Sequence, residues 1–138
     1  MPQKCILHVE DDEDDVLLLS LAFKQAGITT PIQVVADGQQ AIDYLARVGP
    51  FADREKYPRP SLVLLDLNLP RKNGLEVLDW IRDQPALKDL VVIVFSSWAR
   101  KNDVEHASKV GAHSYVLKPM DIDQYRKFAK RLKETCLD

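Results

Sequence analysis

Acids, hydroxyls and one lysine follow directly after four apolar segments of this sequence. They are Glu10 and Asp11 after the first segment, Asp66 after the third, Ser96 and Ser97 after the fourth, and Lys118 after the fifth. Carboxylates without a cysteine or a histidine pair are hard oxygen ligands, which favour magnesium, with manganese as the alternative ion, over zinc. An aspartate carboxylate can also attack phosphorus while a divalent cation and a lysine neutralise the phosphoryl oxygens. The set therefore predicts phosphoryl transfer to an aspartate.

Each of these residues also fits a purely structural role. Acids are favoured in the first turn of any helix, so the run from Glu10 to Asp15 is ambiguous alone, and Asp12 is a candidate N-cap. Asp66 is more specific, because a carboxylate that ends the apolar run SLVLL is expected to be half-buried and to need a partner. Lys118 is its natural partner, and a structural ion pair between the two is the alternative to chemistry.

The other side chains that could bind metal or react are scattered. The histidines and cysteines are His8, His106, His113, Cys5 and Cys136. They form neither a zinc pattern nor a CxxC pair, so we predict packing or surface positions and reduced thiols. Trp80 has the spacing of a core residue in a helix. Trp98 stands in a loop beside the predicted site and is expected to line or cover it.

Five strand and helix pairs must position these residues. Short apolar strands are predicted at 4–9, 31–36, 61–66, 90–95 and 113–117, and each precedes a helical pattern. The predicted helix N-caps are Asp37, Asp121 and either Asn102 or Asp103, and the predicted helix ends are Gly27, Gly49 and Gly111. The second helix is expected to run through Val48.

This alternation predicts an α/β fold with helices on both faces of a parallel sheet, because the middle strands are the most uniformly apolar. Periodicity leaves the strand order open. The doubly wound, flavodoxin-like order 2-1-3-4-5 is the commonest arrangement for five such units, and its ligands bind at the carboxyl ends of the strands. The chemistry-bearing residues should therefore meet at one edge.

Length and charge limit the possible partners. The 138 residues predict one domain over 1–138, and the net charge of −2 provides no overall basic field for nucleic acid or a membrane surface. The N-terminus has no apolar stretch long enough for a signal peptide or a membrane span. We expect a cytoplasmic protein with no nucleic-acid partner and no membrane partner.

The chain resembles the receiver domain of response regulators over essentially its whole length. The matching segments are VED at 9–11, LLDLNLP at 64–70, NG at 73–74, FSS at 95–97 and YVLKP at 115–119. No single motif is decisive, but five motifs in the right order, with the right element between each pair, are a strong joint signal. The resemblance implies a phosphoacceptor in a two-component phosphorelay, which is regulatory rather than an enzyme with an outside substrate.

The resemblance also implies a role for each matched residue. Asp66 would be the phosphoacceptor. Magnesium would be bound by Asp11, by Asp66 and by the backbone carbonyl of Asn68, while Glu10 would act mainly through a bound water. Lys118 would contact the acceptor carboxylate and then a phosphoryl oxygen. The same resemblance implies a cis peptide bond between Lys118 and Pro119.

A conformational switch is implied as well. The Ser96 hydroxyl would be drawn to the phosphoryl group, and Tyr115 would turn inward into the space that the serine leaves. The face formed by the fourth helix, the fifth strand and the fifth helix would pass the signal to partners. Receivers of this kind often form homodimers through that face, for which Val104, Val116 and Tyr125 are the apolar candidates.

Three features are similar to the single-domain regulators that pair with phytochrome-type histidine kinases. They are the glutamate-first acid pair at Glu10, the long loop 50–60 and the DLNLP segment at 66–70. They imply a histidine kinase partner, with a bacterial phytochrome as the candidate kinase. The chain ends soon after Lys118, so we expect no output domain.

Three other functions fit parts of the pattern. A flavodoxin-like electron carrier shares the scaffold, but acids after the first strand would repel a flavin phosphate. A receiver-like interaction module that no longer accepts phosphate usually lacks an acid or the lysine, and this sequence retains them. A phosphatase for outside substrates would need a general acid beside Asp66, and none is evident.

Overall fold

Five strands alternate with five helices in the computed structural model, which describes residues 5–69, 73–97 and 100–135. The strands are β1 (Cys5–Val9), β2 (Ile32–Val35), β3 (Pro60–Asp66), β4 (Val91–Ser96) and β5 (Ser114–Leu117). The helices are α1 (Glu13–Gln25), α2 (Gly38–Ala46), α3 (Gly74–Arg82), α4 (Lys101–Val110) and α5 (Ile122–Thr135). Short 3-10 turns lie at Gly49–Phe51 and Pro85–Leu87. The predicted order of elements is confirmed.

All five strands are parallel and lie in the order β2-β1-β3-β4-β5, as predicted. In this register Val9 pairs with Leu65 and Asp66 pairs with Phe95. Because the ends of β1, β3 and β4 are level, the residues that follow them emerge at one edge of the sheet. This edge is the one at which ligands bind in doubly wound folds.

Helices cover both faces of the sheet and bury two cores. We call these the α2–α4 side, which α2, α3 and α4 cover, and the α1–α5 side, which α1 and α5 cover. Along β3, Val63 and Leu65 belong to the core on the α2–α4 side, whereas Leu62 and Leu64 belong to the other core. This two-residue period is the one that a strand buried on both faces requires.

Three predicted N-caps are confirmed. The carboxylates of Asp12, Asp37 and Asp121 accept hydrogen bonds from backbone N–H groups of α1, α2 and α5. The prediction for α4 was wrong, since its N-cap is Arg100 and the helix already includes Asn102 and Asp103. Asp103 lies in the first helical turn, where the helix dipole favours an acid.

The end of α2 also differs from the prediction. The helix stops at Ala46 instead of continuing through Val48, and Arg47 adopts the left-handed conformation at the C-cap with φ 61°. The Arg47 N–H reaches back to the carbonyls of Asp43 and Tyr44, which closes the last turn before Gly49 is reached. Within the described ranges, no helix has both the length and the apolar composition needed to span a bilayer.

Gly74, the first residue of α3, allows the helix to approach the end of β3. A Cβ at this position would lie 2.3 Å from the backbone oxygen of Asp66 and 2.7 Å from Leu67 Cα. The Gly74 N–H donates to the Leu67 carbonyl at 3.1 Å, and Asn73 caps the helix by accepting from the Glu76 N–H. Only glycine fits this contact without displacing the backbone at Asp66.

Candidate functional site

Lys118 is the centre of the site at the carboxyl edge of the sheet. Its Nζ lies 2.8 Å from Glu10 Oε1, 3.1 Å from Asp66 Oδ2 and 3.1 Å from Asp15 Oδ2. Glu10 and Asp66 are only 2% and 3% exposed. One buried ammonium group thus contacts three carboxylates, two of which were expected at this edge.

Strand alternation places these groups on the same side of the sheet. Asp66 continues the series Leu62 and Leu64, whose side chains lie on the α1–α5 side, and Glu10 continues the series of Ile6 in the same way. The end of β5 is pinned to β4, because the Lys118 N–H donates to the Ser96 carbonyl at 2.8 Å. The pairing of β5 with β4 therefore fixes the backbone of Lys118 at the edge where Glu10 and Asp66 lie.

Glu10, Asp11 and Asp66 form a cluster that could hold a metal ion. One carboxylate oxygen from each lies within 4.8 Å of the others. Asp11 is exposed, whereas Glu10 and Asp66 are buried, so the cluster opens to solvent on one side. An all-oxygen donor set with room for water is the environment that magnesium and manganese prefer. The residues present therefore fit such an ion.

The charges of the cluster also favour a bound divalent cation. Burial raises the pKa of the Glu10 carboxyl, a hydrogen bond from Lys118 opposes that shift, and Asp66 adds to it. Burial alone would lower the pKa of Lys118, but Glu10, Asp66 and Asp15 outweigh it and raise that pKa. The lysine stays charged, yet a single positive charge cannot balance the acids around it. A divalent cation would supply the missing charge.

Asp66 is also held by the loop that follows it. Its Oδ1 accepts a hydrogen bond from the Asn68 N–H at 3.1 Å, while its Oδ2 faces Lys118. Asn68 is exposed, and the predicted role of its backbone carbonyl as a metal ligand stays a prediction. The two oxygens of Asp66 thus have different partners and a defined orientation.

Ser96 and Tyr115 lie on neighbouring strands, where the switch was predicted. Ser96 ends β4 and is 1% exposed, and Tyr115 in β5 pairs with Val94, two residues earlier in β4. The Tyr115 side chain is half-buried and packs against the core on the α2–α4 side. Their roles in a switch stay a prediction.

Asp15 is a site residue that sequence reasoning missed. Besides its contact with Lys118, its Oδ1 accepts a hydrogen bond from the Tyr125 hydroxyl at 3.1 Å. Burial and the negative charge of Asp15 raise the pKa of Tyr125, so this phenol remains a donor. The available signal was spacing: Asp15 precedes Leu19 and Ala22, the inward-facing residues of α1, by four and seven positions.

His8 lies beneath the site on β1, two residues before Glu10, and is not part of the acid cluster of Glu10, Asp11 and Asp66. It is buried, as the packing interpretation predicted, and its Nδ1 has no hydrogen-bond partner among the described residues. Burial and, to a smaller extent, the nearby positive charge of Lys118 lower the pKa of His8 to about 4, against the opposing charges of Asp15 and Asp66. His8 is therefore a neutral imidazole at physiological pH.

Two other expectations are corrected. The peptide bond between Lys118 and Pro119 is trans, the geometry that is intrinsically favoured even before proline. Tyr125 cannot contribute to a dimer surface, because it is 2% exposed and points to Asp15. Trp98 and Cys136 lie outside the described ranges. The lining role predicted for Trp98 and the reduced thiol predicted for Cys136 therefore stay predictions.

Comparisons with known proteins give a consistent result. The response regulator receiver domain family matches residues 6–130 of the chain. Response regulator Rcp1 of Synechocystis sp. is 33% identical over 137 residues, which cover 99% of this chain and 91% of Rcp1.

Solved structures agree with the sequence match. The structure of the phosphorylated cyanobacterial phytochrome response regulator RcpA has a TM-score of 0.90 and 34% identity, covering 99% of this chain and 95% of RcpA. The Mn2+-bound form of Rcp1 has a TM-score of 0.87 and 32% identity, covering 98% of this chain and 95% of Rcp1.

Proposed function

Because the chain belongs to the response regulator receiver domain family, we propose that it takes up a phosphoryl group on Asp66 from the phosphohistidine of a histidine kinase. An oxygen of Asp66 forms a bond to phosphorus while the bond between phosphorus and the imidazole nitrogen breaks. The observation that carries this proposal is the 3.1 Å contact between Lys118 Nζ and a buried, oriented Asp66 carboxylate. A carboxylate is already ionised, so the reaction needs no base.

Magnesium is the proposed cofactor, with manganese as the alternative. Asp11, Asp66 and the backbone carbonyl of Asn68 would hold it, and Glu10 would act mainly through a bound water. When bound, the ion neutralises oxygens of the transferring group. The acid cluster of Glu10, Asp11 and Asp66 supports this assignment, and so does the existence of a Mn2+-bound form of the relative Rcp1.

Lys118 and Ser96 would act on the phosphorylated form. The ammonium group, already beside Asp66 Oδ2, would contact a phosphoryl oxygen and stabilise its charge. The Ser96 hydroxyl would donate to another oxygen, and Tyr115 would shift inward. Such a change biases an existing equilibrium between two arrangements rather than creating a new fold.

The signal would leave through the face formed by α4, β5 and α5. Val104 and Val116 are half-buried on this face, and Leu117 of the edge strand β5 is 55% exposed. A homodimer through this face is the proposed assembly. The protein would be regulatory and would act as a catalyst only on its own phosphorylation and dephosphorylation.

A phytochrome-type histidine kinase is the proposed partner. RcpA is described as a phytochrome response regulator, and it matches nearly the full length of this chain. The kinase assignment is tested by comparing the initial rate of phosphoryl transfer from a phytochrome-type kinase with that from an unrelated histidine kinase. Equal rates would remove the phytochrome link while leaving the receiver chemistry intact.

The receiver chemistry is tested without a kinase. The protein is incubated with magnesium and acetyl phosphate, and its intact mass is followed over time. We expect one phosphoryl adduct that is absent from Asp66→Asn and absent when EDTA replaces magnesium. The matched control is Asp14→Asn, which removes an exposed acid from the same acidic run and should leave the adduct unchanged. No adduct on the wild-type protein would favour a phosphate-independent interaction module.

A further inference from the structure

A second charged cluster lies at the opposite edge of the sheet from Asp66. Arg47, Arg54 and Arg59 line one cavity of about 420 Å³. Its other lining residues are uncharged: Leu45, Ala46, Trp80, Gln84, Ala86 and Leu87. Among the described residues, none of the ion pairs involves these three arginines. Three arginines therefore line a cavity to which the other described lining residues contribute no counter-charge.

The long loop that carries Arg54 and Arg59 is anchored to α2. The rings of Tyr44, Phe51 and Tyr57 pack against one another with centroid distances of 5.1 to 5.9 Å. The Tyr44 hydroxyl donates to the Pro58 carbonyl at 2.7 Å, which ties the end of the loop to the same helix. The backbone that carries Arg54 and Arg59 is therefore anchored before any ligand arrives, which lowers the entropic cost of ordering the loop on binding.

The three arginines reach the cavity from different parts of the chain. Arg47 is the left-handed C-cap of α2, a position where glycine is the usual residue. Arg59 precedes β3 and donates to the Ala86 carbonyl. Burial lowers the pKa of Arg47, and the positive charges of Arg54 and Arg59 lower it further. The charges thus repel one another across the cavity, and an anion between them would relieve that repulsion.

We propose that this cavity binds a small molecule that carries a polyphosphate group. The planar guanidinium fork matches phosphate oxygens in a bidentate way, and three forks suit more than one phosphate. The half-buried Trp80 ring and the Gln84 amide add an apolar wall and a hydrogen-bonding group, as in ordinary small-molecule sites of this size. The same polyphosphate chemistry is found in free pyrophosphate and in nucleoside diphosphates.

This site is separate from the proposed phosphoacceptor site. Pro60 begins β3 directly after Arg59, and Asp66 ends it. Six steps along a strand span roughly 20 Å. The proposal can therefore be tested in a protein that cannot be phosphorylated, so its failure would not count against the function of Asp66.

The experiment uses full-length Asp66→Asn protein without magnesium, titrated with pyrophosphate and with ADP at constant ionic strength. The indole N–H resonance of Trp80, assigned by comparison with Trp98→Phe, reports binding at the cavity, and calorimetry gives the dissociation constant. We expect Arg54→Gln to weaken binding at least about tenfold, since it removes a charge-assisted pair, and Arg54→Lys to recover part of the loss. Lys88→Gln, which removes an exposed charge next to the lining residue Leu87, should change binding less than about twofold.

Each outcome decides the proposal. Tighter binding of ADP than of pyrophosphate would support it with a nucleotide as the source, and equal binding would support it with the phosphates alone. A Trp80 resonance that moves with neither compound would overturn it. Equal weakening by Lys88→Gln and Arg54→Gln would also overturn it, because the effect would then be a diffuse surface field. A Trp80 resonance that moves with a polyglutamate peptide but with neither phosphate compound would also overturn the proposal, because it would indicate an acidic protein partner.

Discussion

The ammonium group of Lys118 lies 3.1 Å from Asp15 Oδ2, so Asp15 of α1 shares the lysine of the site with Glu10 and Asp66. The other oxygen of Asp15 accepts a hydrogen bond from Tyr125 on α5. Asp15 is therefore connected to Asp66, the proposed phosphoacceptor, through Lys118, and it contacts α5 directly through Tyr125. Any movement of Lys118 toward a phosphoryl group would change the partners of this half-buried acid.

The link between Asp15 and Tyr125 should be measurable as a coupling energy. Tyr125→Phe removes one partly buried hydrogen bond to a charged acceptor and should lower the free energy of unfolding by about 2 kcal/mol. In an Asp15→Asn background the same change should cost clearly less, because the acceptor is no longer an anion. Urea unfolding of the wild-type protein, the two single variants and the double variant completes this double-mutant cycle. Additive losses would show that the hydroxyl and the acid do not interact in solution.

Magnesium should stabilise the protein through the acid cluster. At a free magnesium concentration of about 100 times the dissociation constant, the gain in unfolding free energy should be about 2.7 kcal/mol. Asp11→Asn should abolish this gain and should raise the melting temperature of the metal-free protein, because it reduces repulsion with Glu10 and Asp66. Calorimetric melting with EDTA and with magnesium measures both effects. Asp14→Asn should respond to magnesium as the wild-type protein does.

Much of the architecture could be predicted from the sequence, because each piece depended on local patterns. The continuous apolar run of β3 indicated a buried parallel strand, and Asp37 preceded a helical pattern at the distance of an N-cap. Glu10, Asp66 and Lys118 could be expected to meet because the carboxyl ends of parallel strands share one edge. These are consequences of periodicity and topology.

What could not be predicted depended on contacts between distant segments. Asp15 stood in a run of acids that the helix dipole already explains, and only the fold brings Lys118 and Tyr125 to it. Arg82 is a similar case. Its guanidinium group donates to the carbonyls of Leu87, Lys88, Leu90 and Gly111. In the sequence it is merely a basic residue at the end of a helix.

Gly74→Ala should impair phosphorylation as well as stability. The added Cβ would meet the Asp66 backbone oxygen at 2.3 Å, so α3 must move away or β3 must shift at the proposed phosphoacceptor. We expect a loss of about 1 to 3 kcal/mol in unfolding free energy and a slower rate of adduct formation with acetyl phosphate. The control is Gly49→Ala, whose Cβ would meet nothing within 4 Å although φ is +59°. This control should lose stability through backbone strain alone and keep the wild-type rate.

His8 should make the stability of the protein depend on pH in a direction that can be worked out. Burial lowers the pKa of His8 from 6.5 to about 4, so the unfolded chain binds a proton at a higher pH than the folded protein does. As pH falls below the unfolded pKa, protonation favours the unfolded chain, and the loss stops once pH passes below the folded pKa. The expected cost between about pH 7.5 and about pH 5 is roughly 2 kcal/mol. His8→Leu should lack this part of the pH dependence in urea unfolding with EDTA, whereas His113→Gln, at an exposed position, should keep it. Parallel pH profiles for His8→Leu and the wild-type protein would show that His8 is not buried as a neutral imidazole.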